Sequence, residues 1–212
     1  KENKFQCDIN PFGVLYNPMS IAKALNRVME GGDYLTSDLF EARGLWHSWM
    51  HHSAFSASDK DTCLEGINTR LNLSSSFLKK SNWLIVTWGT AYVYALKEGN
   101  EVVGNGHYHP DKLFERRRLS VNEIVGEWTL LLAKLKQINP DLKIVLTVSP
   151  IRHAKDGMHG NQLSKSTLLL AVDELCKACP ECLYFPSYEI MMDELRDYRF
   201  YADDMMHPSK LA

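Results

Sequence analysis

No apolar run in this chain approaches the ~18 residues of a membrane-spanning helix, and no basic-then-apolar leader opens it, so no membrane span is expected. An excess of one charge is also missing. The 24 Lys and Arg stand against 26 Asp and Glu, a formal net charge of -2, which gives no general pull toward nucleic acid. The one basic cluster, Arg116-Arg117-Arg118, reads as a solvated turn before a helix. Cysteine is too sparse for a secreted disulfide framework: there are 5, an odd number, three of them in Cys176 to Cys182. A reducing, cytoplasmic compartment fits better. The Cys-x-x-Cys spacing there lacks a suitably placed fourth ligand, so it reads as the end of a helix with two buried cysteines, and no metal or cofactor is expected. Walker, Gly-x-Gly-x-x-Gly and Gly-x-Ser-x-Gly patterns are missing too, which removes the usual phosphate cradles and the common nucleophile elbow.

What remains is an ordinary globular composition, 45% apolar and 24% charged, enough for one sizeable core and one domain over residues 1–212. The run Ser81 to Trp88, ending at Gly89, has the pattern of a strand covered on both faces. Ser120-Val121-Asn122-Glu123 is a capping box, and from it apolar residues recur at helical spacing until Asn139-Pro140. Lys143 to Ser149 is the next buried strand, halted by Pro150; a helix from about Leu163 to Ala178 precedes a short strand at Leu183 to Phe185. In the first half, Pro18 to Glu30 reads as a proline-initiated helix stopped by Gly31-Gly32, and Thr62 to Lys80 as another. Strands alternating with helices predict crossover connections, hence an α/β fold with a parallel sheet and helices on both faces. Ligands in such folds sit where the carboxyl ends of the strands open into loops. Three segments follow such ends: Gly89 with the long loop to Arg118, Ser149 to His153, and Tyr188 to His207.

The last of these holds Asp204-Met205-Met206-His207-Pro208. A histidine serves as general base near neutral pH when a carboxylate fixes its tautomer and ring plane, and Asp204 at a spacing of three can do so within one turn of loop. Pro208 biases His207 toward an extended backbone. The same spacing also marks helix starts. His47 and His51, four apart, would share a helix face at a spacing that suits zinc, yet no nearby acid completes a hydrolytic zinc helix; buried polar packing is the plainer reading. Asn105 and His107 lie in a long polar loop after a core strand, serving either substrate contact or pocket cover.

Seven stretches in order, "NPFGVLYNPMSI" (10–21), "WGTAYVY" (88–94), "NGH" (105–107), "RRLSVNEI" (117–124), "TVSPIRH" (147–153), "DGMHGNQLSKS" (156–166) and "YFPSYEIMMDELRDYRFYADDMMHPS" (184–209), together resemble the bacterial GSCFA family. That family is similar to the SGNH, or GDSL-type, hydrolases and acyltransferases. The resemblance implies a flavodoxin-like three-layer α/β/α sandwich, and an early serine that attacks an ester or acyl group with help from an Asp-x-x-His near the carboxyl end, here Asp204 and His207. The implied substrate is a small-molecule, carbohydrate or lipid ester. The nucleophile block is expected just upstream of Asn10, but Lys1 to Ile9 lacks it, so the chain is expected to miss that block and the helix following Pro208. For the oxyanion, the resemblance implies Gly13 and the block at Gly89-Thr90-Ala91, where Ala91 replaces an asparagine. Asn105, His107 or Thr90 is then the alternative donor. Arg152 and His153 either contact an acidic or hydroxylated substrate, or Arg152 pairs with Asp156. A binding protein that has lost chemistry on the same scaffold is the competing reading, and oligomeric state is left open.

Overall fold

The computed structural model describes residues 5–212; residues 1–4, part of the stretch in which the nucleophile block is sought, lie outside them. The chain enters along an irregular segment to helix α1 (Pro18–Glu30), which starts where the Asn17 side chain accepts from the Ser20 amide at 2.8 Å and stops at Gly31, φ +69°. A short hairpin follows, β1 (Phe40–Ala42) and β2 (Leu45–His47), turned by Arg43 and Gly44, both at positive φ. Helix α2 (Lys60–Leu78) is capped by Asp59 and leads into β3 (Trp83–Trp88). Next come an antiparallel pair, β4 (Tyr92–Leu96) and β5 (Phe114–Arg118), then α3 (Val121–Ile138) behind its Ser120/Glu123 capping box. Strand β6 (Lys143–Val148), helix α4 (Gly157–Ala178), strand β7 (Cys182–Phe185) and the one-turn α5 (Ser187–Glu189), continued by a π turn over Ile190–Glu194, complete the order.

Strands β3, β6 and β7 pair in parallel in that order. The structure is mixed α/β, with this parallel sheet and five helices, consistent with the α/β/α sandwich expected. Side chains alternate across a strand. One face, with Val86, Trp88, Ile144, Leu146 and Val148, is sealed by helices: Trp128 of α3 meets Trp88 edge-on at 4.9 Å, and the α4 stripe Leu168, Ala171, Val172, Leu175 joins the same core. On the other face Trp83, Ile85, Leu183 and Phe185 are 50%, 69%, 48% and 52% exposed. Among the described residues β3 is therefore covered on one face, not two.

Four further expectations are corrected. The stretch from Gly89 to Arg118 is not one long loop but carries the β4–β5 pair. Arg116 to Arg118 lie on β5 rather than in a solvated turn, because Arg116 stacks over Tyr92 at 4.1 Å and forms an ion pair with the enclosed Asp156 carboxylate. His47 and His51 share no helix face, since His47 ends β2 and His51 lies in the turn beyond it. Helix α4 starts six residues before Leu163 although Asp156 gives it no side-chain cap; its first turns are held by tertiary contacts instead.

Candidate active site at the carboxyl edge of the sheet

Residues 200–209 form a tight loop closed by backbone pairing: Ser209 N donates to Phe200 O and Ala202 N to His207 O, both at 2.8 Å, and Tyr201 bridges Pro208. Met205 makes the bend at φ +59°. Inside it Asp204 Oδ1 accepts the amides of Met206 (2.8 Å) and His207 (2.9 Å), while Oδ2 accepts from His207 Nδ1 at 2.5 Å. The His207 and Met206 amides, and then the imidazole, hold the Asp204 carboxyl down at about 2, so it stays ionised near neutral pH. The arrangement assigns the proton to Nδ1 and leaves Nε2 without a protein partner among the described residues. The His207 side chain is 55% exposed.

Arg152 ties this loop to the end of β6. Its Nη1 donates to Met205 O at 2.9 Å and its Nη2 to the Tyr201 hydroxyl at 3.0 Å, with the guanidinium 4.7 Å from the Tyr201 ring centre. Of the two alternatives for Arg152, the pair with Asp156 is not made, since Asp156 binds Arg116. The imidazole thus lies at the carboxyl edge of the sheet.

The neighbouring strand end is built differently. The amides of Gly89 and Thr90 both donate to Tyr16 O, at 2.8 and 3.0 Å, so the incoming chain crosses the edge there. Thr90 Oγ1 is within 3.2 Å of Ser164 Oγ and accepts from Tyr92 N, while Ala91 is fully buried. His153 Nε2 donates to Gly89 O at 3.1 Å, and its backbone amide to Asn161 Oδ1 at 3.0 Å. Burial, and then the Lys165 ammonium, push the His153 imidazole below its usual value. Lys165 itself is 0% exposed and donates to Gly89 O and Ser149 O at 2.5 and 2.6 Å; burial lowers it to about 8.

Gly13, Asn105 and His107 belong to a second region. The Gly13 amide donates to Asn10 O at 2.8 Å, and a Cβ on it would stand 2.2 Å from His52 Cβ. The Gly104 and Asn105 amides donate to Trp49 O. His107 is 5% exposed, donating from Nε2 to Ser48 O at 2.8 Å with Ser53 Oγ 3.4 Å from Nδ1. Around it His47, Phe40 and Trp49 make an aromatic cluster, with Phe40 and Trp49 ring centres 3.8 Å apart, while His51, bonded to Ser48 Oγ, stacks 4.4 Å over Phe12. Among the described residues no group of three or more His, Cys, Asp or Glu is arranged to hold a metal ion, and no helix is long and apolar enough to cross a membrane. A groove of about 740 Å³, lined by Lys23, Tyr34, Trp49 and Glu101 among others, includes none of the sequence-predicted site residues. Its volume marks space, whereas the convergent polar groups lie at the sheet edge.

Of the predicted residues, then, Asp204, His207, Arg152, His153, Gly89 and Thr90 gather along the carboxyl edge; Gly13, Asn105 and His107 do not share their contacts. Sequence reasoning missed Lys165, Tyr16 and Tyr201. Lys165 carried a signal: it falls on the stripe 161, 164, 165, 168, 171, 172, 175 that helical spacing sends to the core.

An α/β domain with a parallel sheet and an Asp-His pair at its carboxyl edge is the class these observations define. A sequence model of the GSCFA family matches residues 1–212, the whole chain, and the protein belongs to that family. No curated protein and no solved structure matches it.

Proposed function

We propose that this domain is an SGNH-like serine esterase or acyltransferase in which His207 is the general base and Asp204 its orienting carboxylate. The observation that carries this reading is the Asp204–His207 pair, with Nδ1 bonded at 2.5 Å and Nε2 without a partner among the described residues on a 55% exposed side chain, at the edge where ligands of parallel sheets bind. A serine hydroxyl attacks the acyl carbon and passes its proton to Nε2. The imidazolium formed is stabilised by Asp204 and returns that proton to the departing alkoxide, leaving an acyl-enzyme. Water or a second alcohol then releases the acyl group by the reverse transfers. The substrate class is a small-molecule, carbohydrate or lipid ester.

The expected oxyanion donors are spent. The amides of Gly13, Gly89 and Thr90 all have backbone acceptors, and Ala91 supplies no side-chain amide. That observation favours the second reading, a ligand-binding protein on the same scaffold, because donors aimed at the developing charge carry much of the catalysis of acyl transfer. An uncharged fluorophosphonate separates the two. Covalent labelling of the intact protein that disappears in His207→Ala supports catalysis; an intact protein that neither labels nor cleaves phenyl esters leaves the binding reading.

A further inference from the structure

A lysine on the buried stripe of a helix needs a reason, since an ammonium taken from water without a counter-charge costs stability that an apolar residue would not. Lys165 makes no ion pair among the described residues; its acceptors are two backbone carbonyls. Both belong to the first residue beyond a strand, Gly89 after β3 and Ser149 after β6. The last regular bond between these strands is Ser149 N to Trp88 O at 2.9 Å. Beyond it the chains part, one toward β4 and the other toward Arg152 and His153. The Lys165 ammonium sits in the opening.

We propose that Lys165 is a positioning residue for this edge, replacing the next rung of the β3–β6 ladder and fixing two segments: through Ser149 O the one that carries Arg152 and His153, and through Gly89 O the one that accepts from the His153 ring. Gly89 O is a shared acceptor, taking Lys165 Nζ–H and His153 Nε2–H together. That bond sets the His153 tautomer and leaves Nδ1 as its basic nitrogen. The cation behind it opposes a second proton, as does Arg116, while the Asp156 carboxylate acts the other way. On the other branch, Ser149 O anchors the segment from which Arg152 holds Met205 O, and so the loop bearing His207.

The inference takes this edge to be the catalytic one, as proposed above, but its readouts do not use turnover, so the two can fail separately. For the unmodified chain, nitrogen-15 NMR is expected to show His153 as the Nε2–H tautomer, and carbon-13 NMR to show the Lys165 Cε signal titrating near pH 8. In Lys165→Met, His153 should take up its proton at higher pH than in the parent, and the Met206 amide should exchange with solvent roughly tenfold faster. A lysine that merely fills space would leave both unchanged, and that result overturns the proposal. If the variant does not fold, the parent still decides: an Nδ1–H tautomer for His153 overturns it equally.

Discussion

The protein carries histidines in two regions and treats them oppositely. His47 and His107, beside Phe40 and Trp49, and His51, stacked on Phe12, are buried; their ring nitrogens engage Ser56 and Ala42, Ser48 with Ser53, and Ser48 in that order. Burial drives His51 down to about 3, so it remains neutral packing material. At the sheet edge His207 is exposed, has one nitrogen committed to Asp204, and keeps the other open. Residue type therefore says little about chemistry; an uncommitted ring nitrogen in an accessible place says much more. The histidine-rich stretch attracts attention as a sequence, yet it is the poorer candidate for reactivity.

The sharpest way to break this contrast is a pair of alanine variants. His207→Ala should cut fluorophosphonate labelling roughly 10⁴-fold or more, on the scale of removing a triad histidine, while the unfolding midpoint barely moves. His107→Ala should do the reverse, lowering the midpoint in thermal denaturation while the labelling rate per folded molecule stays within about threefold. Equal effects of both on labelling would erase the distinction.

Acid stability tests the buried half. The folded His51 value of about 3 lies below the unfolded value of about 6.5, so between them only the unfolded chain takes up this proton. The contribution is fully present above pH 6.5 and is lost as pH falls toward 3, by on the order of 5 kcal/mol for a shift of that size. Urea denaturation from pH 7 to pH 4 should show this slope, and His51→Phe, which keeps the stack on Phe12, should flatten it. An unchanged slope would mean that His51 is solvated in the folded state.

A smaller effect tests how the entering chain is seated. Gly13 has φ +81° and no room for a Cβ beside His52, so Gly13→Ala should cost about 2 kcal/mol in the same denaturation assay. A neutral outcome would show that the 10–16 segment yields easily, and with it the Tyr16 carbonyl that occupies the Gly89 and Thr90 amides.

Much of the scaffold was legible because its signals are local. Asn17-Pro18 and Gly31 bound α1, the Ser120/Glu123 box starts α3, and Lys143 to Val148 needs only its apolar run to read as a strand. The β4–β5 pair was not, because the reason for a strand of arginines lies elsewhere in the chain, in Tyr92, Tyr94 and Asp156. The candidate site divides the same way. Asp204 and His207 are three residues apart and organise each other, so a ten-residue window contained their geometry. The expected oxyanion residues are more than 70 positions apart, and whether an amide is free depends on which carbonyl arrives there.

By itself, then, the sequence determined the helix boundaries set by caps, the apolar strands, and a carboxylate within reach of an imidazole, since each rests on interactions between residues a few positions apart. Only the tertiary structure decided that Tyr16 occupies the Gly89 and Thr90 amides, that Lys165 bridges two strand ends, and that His47, His51 and His107 are buried. Those outcomes depend on which distant groups share one small volume, and short-range periodicity does not encode that.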